Sequence, residues 1–123
     1  MPQEKPGEKR SEKLVRNKIP DIIRAHGEVC SVRVPRSLKE KRSFADRKLV
    51  EEVEEYLAER KKTGKNYSRE KVLEELSDIQ ELIKYLASLE GFSFRDLLVS
   101  TQAKRKERGS FVESYILTTD SKK

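Results

Sequence analysis

Residues 72–82 read VLEELSDIQEL, and this stretch decides the fold. Val72, Leu76, Ile79 and, one residue beyond, Ile83 recur at three- and four-residue spacing, the period of one helix face. Glu75 and Asp78 stand among these apolar residues rather than opposite them. On a helical wheel of about 100° per residue, Leu73, Leu76, Ile79, Leu82, Ile83 and Leu86 form a broad apolar arc. Glu75 falls inside it and Asp78 on its edge, near Leu82 and Leu89. Glu74 lies further out, and Glu81 lies on the polar side. A helix that only divides grease from water has no use for acid in that position.

Outward from this stretch, Ser68 is the cap of a helix running from Arg69 to about Glu90, closed by Gly91. Upstream, Ser43 to about Lys62 is also helical, with Phe44, Leu49, Val53, Tyr56 and Leu57 as its stripe and Ser43 and Asp46 as an approximate capping box. The breakers Gly64 and Asn66 make 61–68 a loop. Ser93 caps a last helix to about Arg108, ended by Gly109. The opening unit, KLVRNKIPDIIRAHG at 13–27, holds a short helix with Pro20 in its first turn and Gly27 at its end. Val29, Val32 and Val34 before Pro35 predict a short extended segment near 29–34, an edge strand or small hairpin. The expected architecture is all-α: one domain over 12–117, a helical bundle built on two long antiparallel helices. Loose tails are expected at 1–11 and 118–123. Phe111, Tyr115, Ile116 and Leu117 are expected to pack back on the body or on a second subunit.

Composition sets bounds on function. Of 123 residues, 41% are charged and 34% hydrophobic, a thin core for a globular domain, and a second subunit would enlarge it. The net charge of +6 and pI near 9.4 permit nucleic acid, acidic surfaces or phosphorylated small molecules as partners. Lysines and arginines are mixed with 22 acids and are not interleaved with aromatics, which argues against a nucleic-acid platform. The lone Cys30 and lone His26 leave no disulfide within the chain and no zinc set, so a cytoplasmic setting is expected. No window is apolar enough to span a membrane.

The two long helices each carry carboxylates at i, i+3 beside the core-facing surface: Glu52 with Glu55, and Glu75 with Asp78. Glu51 and Glu54 point more toward water. If the helices pack through their stripes, four carboxylates converge. That many anions raise one another's pKa and need compensation. A hard divalent cation with oxygen ligands supplies it, so Glu52, Glu55, Glu75 and Asp78 are candidate ligands for Mg²⁺, with Mn²⁺ as a substitute.

EEVEE at 51–55 followed by EELSD at 74–78 resembles the E-x-x-E…E-x-x-D signature of the all-α nucleoside triphosphate pyrophosphohydrolases, the MazG-like superfamily. KLVRNKIPDII at 13–23 is similar to the start of the phosphoribosyl-ATP pyrophosphohydrolase-like branch, and KRKERGSF at 104–111 resembles that branch's C-terminal region. The resemblance covers about residues 13–117. It implies Mg²⁺-dependent hydrolysis of a nucleoside triphosphate to monophosphate and pyrophosphate, in a homodimer or dimer of dimers. The substrate would be a damaged, non-standard or phosphoribosyl nucleotide in a house-cleaning role. It implies the same four metal ligands, with Glu52 or Glu55 accepting a proton from water. Lys13, Arg16 and Lys18 in the opening motif, and Lys104, Arg105 and Arg108 near the end, would then hold the triphosphate. Asn17 departs from the aspartate usual in that motif, which bears on affinity or substrate choice. Two other classes compete: a basic helical nucleic-acid-binding module indifferent to the carboxylates, and a nucleotide sensor without turnover.

Overall fold

The computed structural model describes residues 11–119, so most of both expected tails lies outside the described residues. Among the described residues the regular structure is entirely helical. Four α-helices follow one another: α1 (Ile19–Ala25), α2 (Leu38–Lys61), α3 (Arg69–Leu89) and α4 (Phe94–Arg108). A 3₁₀ turn over Gly64–Asn66 joins α2 to α3.

Local chemistry sets most of the boundaries. Pro20 stands in the first turn of α1, where its missing N–H costs nothing. The Ser68 hydroxyl accepts from the Lys71 backbone N–H and starts α3. Gly91, at φ 86°, takes the left-handed conformation that follows its end. Ser93 and Asp96 make a reciprocal capping box at α4, with bonds of 2.9 and 3.1 Å.

Two expectations need correction. The second helix is capped by Ser37, not Ser43: Ser37 Oγ accepts from Glu40 N at 3.1 Å, and the Glu40 carboxylate accepts from Arg36 N at 2.8 Å. Residues 38–42 are good helix formers but largely charged, so hydrophobic periodicity does not register them. Residues 28–35 form no strand. A strand needs a partner, and no other described segment offers an edge. Val29, Val32 and Val34 stay exposed. This segment is tied instead through Arg33, whose guanidinium donates to Glu12 at 3.0 Å and Glu40 at 2.8 Å.

The body is the α2–α3 pair, with α4 resting on α3. The seam of α2 runs through Ala45, Lys48, Leu49, Glu52, Tyr56 and Glu59, all buried or half-buried. On α3 the equivalent positions are Glu75, Asp78, Ile79, Leu82, Tyr85, Leu86 and Leu89. Arg42 near the start of α2 donates to Glu90 at the end of α3, at 3.0 and 3.2 Å. Among the described residues only Ala45, fully inaccessible, and Leu82, 7% exposed, are buried hydrophobics. The apolar arcs read from the sequence are wider than this seam: Val53 and Leu57 on α2, and Leu73, Leu76 and Ile83 on α3, are exposed. The C-terminal segment does not pack on the body; Phe111 is 97% exposed and Tyr115, Ile116 and Leu117 are nearly as open.

Candidate metal and phosphate site

The four carboxylates singled out in the sequence fall into two overlapping groups of three, one of which also takes in Glu51, and not into a single group of four. Glu52, Glu75 and Asp78 can each place a carboxylate oxygen within 4.8 Å of the others, and so can Glu51, Glu52 and Glu55. Glu52 joins the two groups. It sits on the α2 seam because it is seven residues, two helical turns, beyond Ala45, and it is only 7% exposed. Its Oε2 is buried and has no hydrogen-bond partner; the same holds for Glu75 Oε1 and, two helical turns beyond Glu52, for Glu59 Oε1. An orphaned buried carboxylate oxygen costs on the order of 1–3 kcal/mol. Two of them facing one cluster fit a hard cation with oxygen ligands, so this donor set suits Mg²⁺ or Mn²⁺.

The electrostatics follow the same geometry. Burial, and then Asp78, Glu52, Glu59 and Glu74, push the Glu75 carboxyl above its ordinary value. Glu55 is raised too, first by desolvation and then by Glu52, Glu51 and Glu75, although its side chain is the most exposed of the four. Glu51 goes the other way. Desolvation would raise it, but the Lys48 ammonium, with Lys13 and a hydrogen bond with Glu55, outweighs that and holds it low.

Cations surround the cluster. Arg16 donates to Asp78 Oδ1 at 2.7 Å, Lys13 lies 3.7 Å from Glu51, and Lys48 lies 3.0 Å from Glu51 and 3.2 Å from Glu52. A cavity of about 690 Å³ opens beside them. Its lining mixes Arg16, Asn17, Lys18 and Lys48 with Glu52, Asp78 and Glu81, and adds the apolar side chains of Leu14, Val15, Ile19, Ile22, Leu82 and Tyr85. This mixture, and a volume in the range of small-molecule sites, suit a ligand with an anionic end and an apolar end.

Of the residues expected to hold phosphate, Arg16 and Lys18 line this cavity and Lys13 is ion-paired at its edge. Lys104, Arg105 and Arg108 stand exposed on α4 and are not among the lining residues; Arg108 pairs with Glu107 at 3.7 Å. Glu51, read as solvent-facing, is half-buried within the cluster, and Glu81, placed on the polar side, lines the cavity. Lys48 and Glu59 were missed. Each had a signal: Lys48 is four residues before Glu52 and Glu59 seven after it, so both share its face. No protein-family model, no curated protein and no solved structure matches this chain.

Proposed function

We propose that this protein is a Mg²⁺-dependent nucleotide pyrophosphohydrolase of the MazG-like kind, with its two long helices running antiparallel. The observation that carries the reading is the pair of orphaned buried oxygens, Glu52 Oε2 and Glu75 Oε1, beside a cavity lined by Arg16, Lys18 and Lys48. Acids alone would be a common helical surface. Acids that keep unpaired oxygens under cover beside a cavity that also carries three cations are not.

In this reading Glu52, Glu55, Glu75 and Asp78 would hold the metal, which when bound would supply charge neutralisation for phosphate oxygens and a more acidic water. Arg16 exchanges Asp78 for a phosphate oxygen, and Lys18 donates to the same chain of phosphates. Water adds to a phosphorus of the α–β anhydride, the bridging P–O bond breaks, and pyrophosphate leaves. The proton lost by water passes to a carboxylate; Glu55, raised above its ordinary value and more open than Glu52, is best placed to take it. The apolar wall with Tyr85 receives the base or sugar.

A homo-oligomer belongs to the same reading. Val50, Val53 and Leu57 on α2, and Leu73, Leu76 and Ile83 on α3, are exposed at helical spacing, and the core among the described residues holds two buried hydrophobics. A second copy covering these stripes supplies the missing burial.

The test is a nucleotide panel with Mg²⁺ or Mn²⁺, with pyrophosphate and orthophosphate read separately. Pyrophosphate is expected from at least one nucleotide and is abolished by Glu75→Ala or Asp78→Ala. No release across the panel overturns the reading. One observation favours a nucleotide sensor without turnover: Lys48 and Arg16 already satisfy part of the carboxylate charge. Nucleotide binding without any product would decide for it.

A further inference from the structure

Lys48 is a half-buried cation to which the reaction scheme assigns no task. Its side chain is 18% exposed, its ammonium bridges Glu51 at 3.0 Å and Glu52 at 3.2 Å, and it lines the same cavity as Arg16 and Lys18. Burial works against its charge, and the two carboxylates outweigh burial, so the ammonium stays charged. Such a cation is stable there only while an anion faces it.

With a divalent cation bound at Glu52, Lys48 would lose one of those anions. It would also face added positive charge. The ammonium then has one remaining carboxylate, Glu51, and an open cavity in front of it. Three flexible donors on a four-carbon stem can turn toward that cavity without moving the helix. Resting on the metal-dependent phosphate chemistry proposed above, we infer that Lys48 is a substrate-binding residue: when the metal occupies Glu52, its ammonium leaves that carboxylate and binds a phosphate oxygen of the nucleotide. Lys48 thereby couples the two binding events. It competes with the metal when no phosphate is present, and it fills the vacated charge when phosphate arrives.

A half-buried structural lysine and a coupling lysine make opposite predictions. Lys48→Met keeps the length and apolar stem but deletes the charge. Titration calorimetry would measure Mn²⁺ binding to the full chain, and then inorganic pyrophosphate binding at saturating Mn²⁺. The expected result for Lys48→Met is Mn²⁺ binding as tight as in the unaltered chain or tighter, since the competing cation is gone. Pyrophosphate binding is expected to weaken by about 10- to 100-fold, the loss of one charge-assisted hydrogen bond. Lys48→Arg, which keeps the charge should the methionine variant not fold, is expected to keep pyrophosphate binding within about tenfold of the original, its fork geometry differing from the ammonium. Parallel weakening of Mn²⁺ and pyrophosphate in Lys48→Met marks a structural role and overturns the inference. So does unchanged pyrophosphate binding in that variant, or its loss in Lys48→Arg. If the unaltered chain binds Mn²⁺ and pyrophosphate and only the Lys48 pattern fails, the functional reading survives; if the unaltered chain binds neither, both are overturned.

Discussion

Replacing Glu75 by glutamine sets stability against metal binding in a way few other readings would. In the structure the Glu75 Oε1 is buried without a partner, and the carboxylates of Asp78, Glu52, Glu59 and Glu74 repel its charge. Glutamine keeps the size and one acceptor, removes the negative charge, and adds an N–H₂ that can donate to Glu52 or Asp78. The orphaned acceptor costs on the order of 1–3 kcal/mol, and part of that is recovered. Metal-free Glu75→Gln is therefore expected to be more stable by about 1–2 kcal/mol. For a domain of this size that is a rise in melting temperature of roughly 4–12 °C. The metal response should reverse. A ligand at a hundred times its dissociation constant stabilises by about 2.7 kcal/mol, and this gain should largely vanish when a ligand carboxylate is neutralised. The assay is thermal unfolding by circular dichroism, with and without millimolar Mg²⁺ or Mn²⁺, for both chains. A Glu75→Gln chain that melts lower without metal, yet gains as much from metal as the original, would refute the idea that Glu75 is an uncompensated ligand.

The raised Glu55 and Glu75 carboxyls fix a pH dependence. Both bind protons more readily when folded, so their contribution to stability is favourable at low pH and is lost as pH rises from the ordinary carboxylate value through their raised values; the metal-free chain should lose stability across that window while the Mn²⁺-induced rise in melting temperature grows, as unfolding scans from about pH 4 to 8 would show. Leu82→Ala should cost about 2–5 kcal/mol in denaturant unfolding, since Leu82 is the one large buried aliphatic on the α2–α3 seam. Ser93→Ala should cost about 0.5–2 kcal/mol by the same measurement, through loss of the capping box at α4.

The long helices, the caps at Ser68 and Ser93, and the shared faces of Glu52 with Glu55 and of Glu75 with Asp78 were legible because each depends on residues within about four positions of one another. The Ser37 start was less legible because its first turns carry charge rather than apolar period, although the S-x-x-E pair of Ser37 and Glu40 was there to be read. The valines of 29–34 carry β propensity, but propensity cannot supply a neighbouring strand, and none of the described residues does.

By itself, then, the sequence determined an all-helical chain with a thin core and placed four acids beside the packing stripes of two helices, since helix period and capping are local. Tertiary structure decided the rest. It showed which part of each wide apolar arc is the seam, leaving Leu73, Leu76 and Ile83 outside it, and it buried Glu52 while leaving Glu55 open. It joined Arg16 to Asp78 across 62 positions and aimed Lys48 at Glu52 over the cavity. Burial and pairing depend on the rotation of one helix against another, and the side chains of a single helix do not fix that angle.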